Sequence, residues 1–114
     1  NTVTYTHGGI KTIIVSGQVG YADGKVGETF EEQADIAHQN VMRELASAGA
    51  TAADLIKINT YVVDLDSTRS KAVQAAKAKY FTQENQPAST MVGVSALVMK
   101  ALLVEIEATA VIEA

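Results

Sequence analysis

Two carboxylates one residue apart, Glu105 and Glu107, alternate with Val104, Ile106 and Ala108 near the end of a 114-residue chain. On a strand, alternate residues share a face, so the two acids would stand about 7 Å apart. Such a pair can divide into a proton donor and a proton acceptor if burial raises one of them. It can equally be a solvated strand face. Ser16-Gly17 closes a β-branched run, and a glycine there either lets a ligand approach the backbone closely or makes an ordinary turn. His7 precedes Gly8-Gly9 and is a candidate proton carrier near neutral pH, while His38 follows Ala37 and reads as a surface or packing residue. Two histidines and no cysteine complete no metal-ligand set and make no disulfide. No cofactor is expected.

Composition narrows the function classes. Apolar residues make up 47% of the sequence, enough for one packed interior, and 114 residues are too few for two. A single domain over residues 1–114 follows. The net charge of −4 and the scattered basic residues argue against a nucleic-acid partner, since phosphate contacts need clustered Lys and Arg. No apolar run approaches the roughly 18 residues that cross a bilayer. The N-terminus has no signal-peptide pattern. The expectation is a cytoplasmic protein with no membrane partner.

These candidates need elements to position them. Thr12 to Ser16 is β-branched and predicts a strand. Residues 21–27 are turn material around Asp23-Gly24. Thr29 and Glu32 fit a capping box, and Phe30, Ala34, Ala37, Val41, Leu45 and Ala48 form one apolar helix face closed by Gly49. Residues 54–64 predict a strand. Asp66 or Ser67 can cap a second helix through Val73, Ala76 and Tyr80. Gln74 lies on it among alanines and reads as a surface side chain. After Pro87, residues 90–97 and 102–112 predict two more strands.

The order of elements implies an α/β fold, with helix crossovers joining parallel strands through right-handed connections. Both helices can cover one face of a single sheet. Along residues 55–65, Ile56, Ile58 and Val62 are expected on one face, and Leu55, Tyr61, Val63 and Leu65 on the other. Two helices cannot cover both apolar faces. Self-association is the simplest remedy for the exposed one.

Four stretches together resemble the Rid family, also called YjgF-like or L-PSP endoribonuclease. Val15-Ser16-Gly17-Gln18 is similar to the family's strand end, and Gln33 with Gln39-Asn40-Val41 to its first helix. Asp54 to Lys57 with Tyr61 to Leu65 resembles its central strand, and Val104-Glu-Ile-Glu-Ala108 its terminal strand. The resemblance implies a chorismate-mutase-like fold: one mixed sheet, two helices on one face, and a barrel-like homotrimer with ligand clefts between subunits. It also implies that Glu105 positions an attacking water. Ser16, Gly17, Gln74, Ser89, Thr90 and Met91 would then line the cleft, Gln74 at the position of the family's second-helix asparagine. Met91 is otherwise ordinary core.

The family's deaminases carry Pro-Ala-Arg-Ser, whose arginine holds the substrate carboxylate. Here the segment reads Pro87-Ala88-Ser89-Thr90. A neutral hydroxyl does not replace a bidentate, permanently charged donor. Arg43 and Arg69 fall on the helices, and the family's N-terminal Gly-Pro-Tyr has no counterpart, although Tyr5 could approach that site. The sequence therefore predicts a Rid-type trimer that binds or hydrolyses a small molecule other than the standard 2-imino acids. A non-enzymatic binding or regulatory trimer is the first alternative, and an endoribonuclease the second.

Overall fold

The computed structural model describes residues 1–114. The first helix, α1 (Phe30–Ser47), begins where the sequence signals it. The Thr29 hydroxyl accepts from the Glu32 N–H at 3.1 Å, and the Glu32 carboxylate accepts from the Glu28 N–H at 3.0 Å. The reciprocal bond thus closes one residue earlier than a strict capping box. Phe30, Ala34, Ala37, Val41 and Leu45 are buried, and Gly49 stops the helix at φ +88°. The second helix, α2 (Ser67–Lys77), is capped by the Asp66 carboxylate, which accepts from the Arg69 N–H at 2.8 Å. It ends before Tyr80. The Arg69 guanidinium lies 5.0 Å from the Phe30 ring centre and so joins the two helices.

Five strands form one sheet: β1 (Thr2–His7), β2 (Ile10–Val19), β5 (Leu55–Val63), β6 (Ala88–Val94) and β7 (Val104–Glu113), in the order β1-β2-β7-β5-β6. Two short strands, β3 (Tyr21–Ala22) and β4 (Lys25–Val26), make a separate hairpin around Asp23-Gly24. β5 and β6 run parallel, joined through α2, and the other neighbours are antiparallel. The last strand lies in the middle. The core cluster is built from α1, α2 and one face of β2, β5 and β7, with Ile13, Val15, Ile58, Val62, Val104 and Ile106 inside it.

Three sequence expectations are corrected. The sequence assigned no strand before Thr12, yet β1 pairs along its whole length with β2 across Gly8-Gly9, both at positive φ. That turn demands residues free of a Cβ. The strand expected at 90–97 runs from Ala88 to Val94, so that Ser89 and Thr90 are early in it. The faces of β5 also differ. A register shift between Leu55 and Lys57 leaves Ile56 52% exposed and turns Leu55 inward with Ile58, Thr60 and Val62. The opposite face carries Lys57, Asn59, Tyr61 and Val63. Its centre is polar because Lys57 and Asn59 alternate onto it with Tyr61, whereas the bulge changes the sides of Leu55 and Ile56 alone.

Candidate functional site

No helix covers the second face of the sheet. Strand alternation brings Glu105, Glu107 and Thr109 of β7 there, beside Lys57, Asn59 and Tyr61 of β5 and Ser16 of β2. Glu107, expected as a solvated carboxylate, is half-buried and anchored. The Tyr61 hydroxyl donates to Glu107 Oε1 at 2.7 Å, and Asn59 Nδ2 donates to the same oxygen at 3.0 Å. That bond to Glu107 raises the Tyr61 pKa above its ordinary value, since ionising the phenol would set two anions together.

Glu105 is held differently. It pairs across the sheet with Val19 on one side and Tyr61 on the other, and its carboxylate folds over Gly17. A Cβ at position 17 would lie 2.5 Å from the Glu105 carboxyl carbon and from Oε2. The strand shifts register between Val15 and Gln18, and the glycine in that bulge leaves the space that the carboxylate fills. Gly17 thus serves a close approach, and the group approaching is Glu105. No side-chain hydrogen bond ties the Glu105 carboxylate, in contrast to Glu107.

The candidate residues do not all meet within one chain. Ser16, Gly17 and Glu105 come together, with Ser16 Oγ donating to the Asn1 carbonyl at 2.8 Å. Thr90 shares the uncovered face and accepts from Lys57 Nζ at 2.8 Å. Ser89 and Met91 alternate with Thr90 on edge strand β6 and so face the helix side, where Met91 packs against the core. Gln74 is exposed on α2, in the helix layer. Tyr5 and His7 sit opposite Thr12 and Ile10, on the uncovered face but at its far edge. The alternation of β6 divides Ser89 from Glu105.

Neither arginine reaches that face. Arg43 donates to Asn40 Oδ1 at 3.0 Å, and Arg69 donates to the Val63 carbonyl. Lys57 is the cation of the sheet's uncovered side. The sequence reading missed Lys57, Asn59 and Tyr61 as site residues, although their alternation within a supposedly apolar strand marks a polar face. A concavity of about 330 Å³ opens there, lined by Ser16, Lys57, Asn59, Glu107 and Thr109 with Ile14. A second of about 500 Å³, mostly apolar, lies between the end of β5 and residues 95–103. No group of three or more His, Asp or Glu side chains lies close enough to hold a metal ion.

Residues 2–112 match the family model described as endoribonuclease L-PSP. No curated protein sequence is matched. Among solved structures, the chain is similar to YyfB of Yersinia pestis, a protein of unknown function in the conserved Rid protein family. The identity is 33%, covering 87% of this chain and 77% of that one, with a TM-score of 0.80. It is also similar to Rv2704 of Mycobacterium tuberculosis, of the YjgF/YER057c/UK114 family, at 32% identity over 96% and 84% of the two chains and a TM-score of 0.78. The YjgF gene product of E. coli shares 30% identity over 95% and 84%, again at a TM-score of 0.78.

Proposed function

The chain belongs to the Rid family, described as endoribonuclease L-PSP over residues 2–112, and from that premise we propose that it acts as a cytoplasmic homotrimer whose inter-subunit clefts bind and hydrolyse a small uncharged imine or carbonyl compound. The observation that carries this reading is Glu105, a half-buried carboxylate laid over Gly17 and tied by no other side chain. A carboxylate so placed takes a proton from water as the water oxygen bonds to an imine carbon. Glu105 returns that proton to the nitrogen, the proton of the new hydroxyl passes to nitrogen by the same carboxylate as the carbon–nitrogen bond breaks, and ammonia leaves a carbonyl behind.

Charge decides the substrate class. Ser89 stands where the family's deaminases have an arginine, both arginines are engaged on the helix layer, and the edge strand turns Ser89 away from Glu105. Nothing at Glu105 holds a carboxylate by a bidentate charged fork. The same absence favours a second reading, a trimer that binds its ligand without turning it over. An endoribonuclease is the weakest reading, because a net charge of −4 and a single strand cation on the uncovered face offer no phosphate track.

Glu105→Gln separates the first two readings. The amide keeps the shape and removes the exchangeable proton. Hydrolysis of simple neutral imines should fall by at least about a hundredfold while ligand affinity changes much less. Turnover and binding both untouched across several ligands would make Glu105 a structural carboxylate and end the cleft reading.

A further inference from the structure

The centre of the uncovered face holds two opposite charges whose neighbours leave bonding capacity free. Both hydrogen bonds to Glu107, from Tyr61 and Asn59, converge on Oε1. Oε2 remains an acceptor. Lys57 lines the same concavity of about 330 Å³, and its Nζ spends one of three donors on Thr90 of the neighbouring β6, which leaves two free. In the β5–β7 ladder Lys57 stands opposite Thr109 and Asn59 opposite Glu107. Lys57 and Glu107 are therefore diagonal neighbours, about 7–8 Å apart at the backbone. No ion pair joins them directly: the three salt bridges of the chain involve Glu44, Glu28 and Asp35.

We infer that this cradle is a second binding site, for a small zwitterion whose ammonium meets Glu107 and Thr109 and whose acid group meets Lys57. The arrangement selects for both charges at once. A lone anion in the concavity would approach the Glu107 carboxylate, and a lone cation would approach Lys57. The acceptor is fixed in advance, because Tyr61 and Asn59 hold the carboxylate from one side and lower the ordering cost of binding. Ile14 supplies an apolar wall on which a short methylene spacer rests. The site is independent of Glu105, which faces Gly17 and Tyr61 and does not line this concavity.

The test is an amide NMR titration of the intact protein with glycine, β-alanine and γ-aminobutyrate, beside methylammonium and acetate. At least one zwitterion should saturate, with shifts centred on residues 57–61 and 105–109, and each half-ligand should bind about tenfold or more weakly. Lys57→Met and Glu107→Gln keep size and should each raise Kd about tenfold or more, whereas Lys57→Arg and Glu105→Gln should keep binding near wild type. No saturation by any of the three zwitterions overturns the assignment. So does affinity unchanged in Lys57→Met, or affinity lost in Glu105→Gln, which would place the ligand in the Glu105 cleft instead.

Discussion

His38 shows how a single residue couples the core to pH. It is 1% exposed, its ring stacks on Tyr80 at 6.3 Å, and Nδ1 lies 2.7 Å from the Ala34 carbonyl. A carbonyl only accepts, so Nδ1 carries the hydrogen. Nε2 is buried without a partner. Protonating it would place a charge and an unmet donor in the interior, and burial accordingly lowers the His38 pKa below its ordinary 6.5. The Ala34 carbonyl and Asp35 oppose that shift, and Lys77 and Lys79 add to it. The unfolded chain takes up this proton near 6.5, while the folded one resists until lower pH. Below 6.5 the unfolded state therefore binds more protons, and stability falls with pH by at most about 1.4 kcal/mol per unit. Urea midpoints at pH 7.5 and 5.5 should separate for wild type and converge for His38→Leu. Equal losses in both proteins would assign the pH dependence to other groups.

At the scale of elements, the polar residues on the buried face of α1 are bolts between irregular segments. Gln33 Nε2 donates to the Gly27 and Ala101 carbonyls at 3.2 and 3.0 Å, and its Oε1 accepts from the Leu103 N–H at 2.9 Å. Asn40 Nδ2 donates to the Val19 and Tyr21 carbonyls at 3.0 and 2.9 Å. The hairpin comes this close because Gly20 has no side chain. A Cβ there would lie 2.4 Å from Gln33 Cβ and 2.7 Å from its Cα. Gly20→Ala should cost roughly 1–3 kcal/mol, since the helix backbone cannot yield. Gly17→Ala meets only the movable end of Glu105 and should cost less than about 1 kcal/mol while displacing the carboxylate. Denaturant unfolding of both variants checks the contrast, and equal midpoints would refute it. What the sequence could tell follows the same division. The period and caps of α1 are local, and they were legible. The Thr2, Thr4, Thr6 alternation before Gly8-Gly9 is a local strand signal too. The polar alternation of Lys57, Asn59 and Tyr61 is local as well, but the sides taken by Leu55 and Ile56 turn on a bulge, and Glu107 acquires partners only when the last strand inserts beside β5. Neither is encoded within any one segment.

For the whole molecule, the proposed trimer rests on the uncovered face. Its polar centre is flanked on the β1–β2 side by Val3, Tyr5, Ile10 and Ile14, which are 60%, 56%, 50% and 42% exposed, and on β6 by Val92, at 41%. The expectation of an apolar second face is thus met at its margins rather than along β5. The exposed apolar group on β1–β2 marks an interaction site, and in the proposed trimer a second and third copy of the same sheet would cover it together with Val92. Sedimentation equilibrium should therefore give about three times the 12.0 kDa of one chain. Ile14→Asp puts an unpaired carboxylate into each proposed contact, at a cost of several kcal/mol per copy. Val63→Asp does the same on the other flank, where Val63 is half-buried on the uncovered side. Both variants should sediment as monomers with helix and strand content intact, because neither side chain belongs to the buried core. A wild-type monomer at micromolar concentration would defeat the assembly, and with it any cleft shared between subunits. Glu105 would then stand at an open surface, where water screens it and no apolar wall orients a substrate.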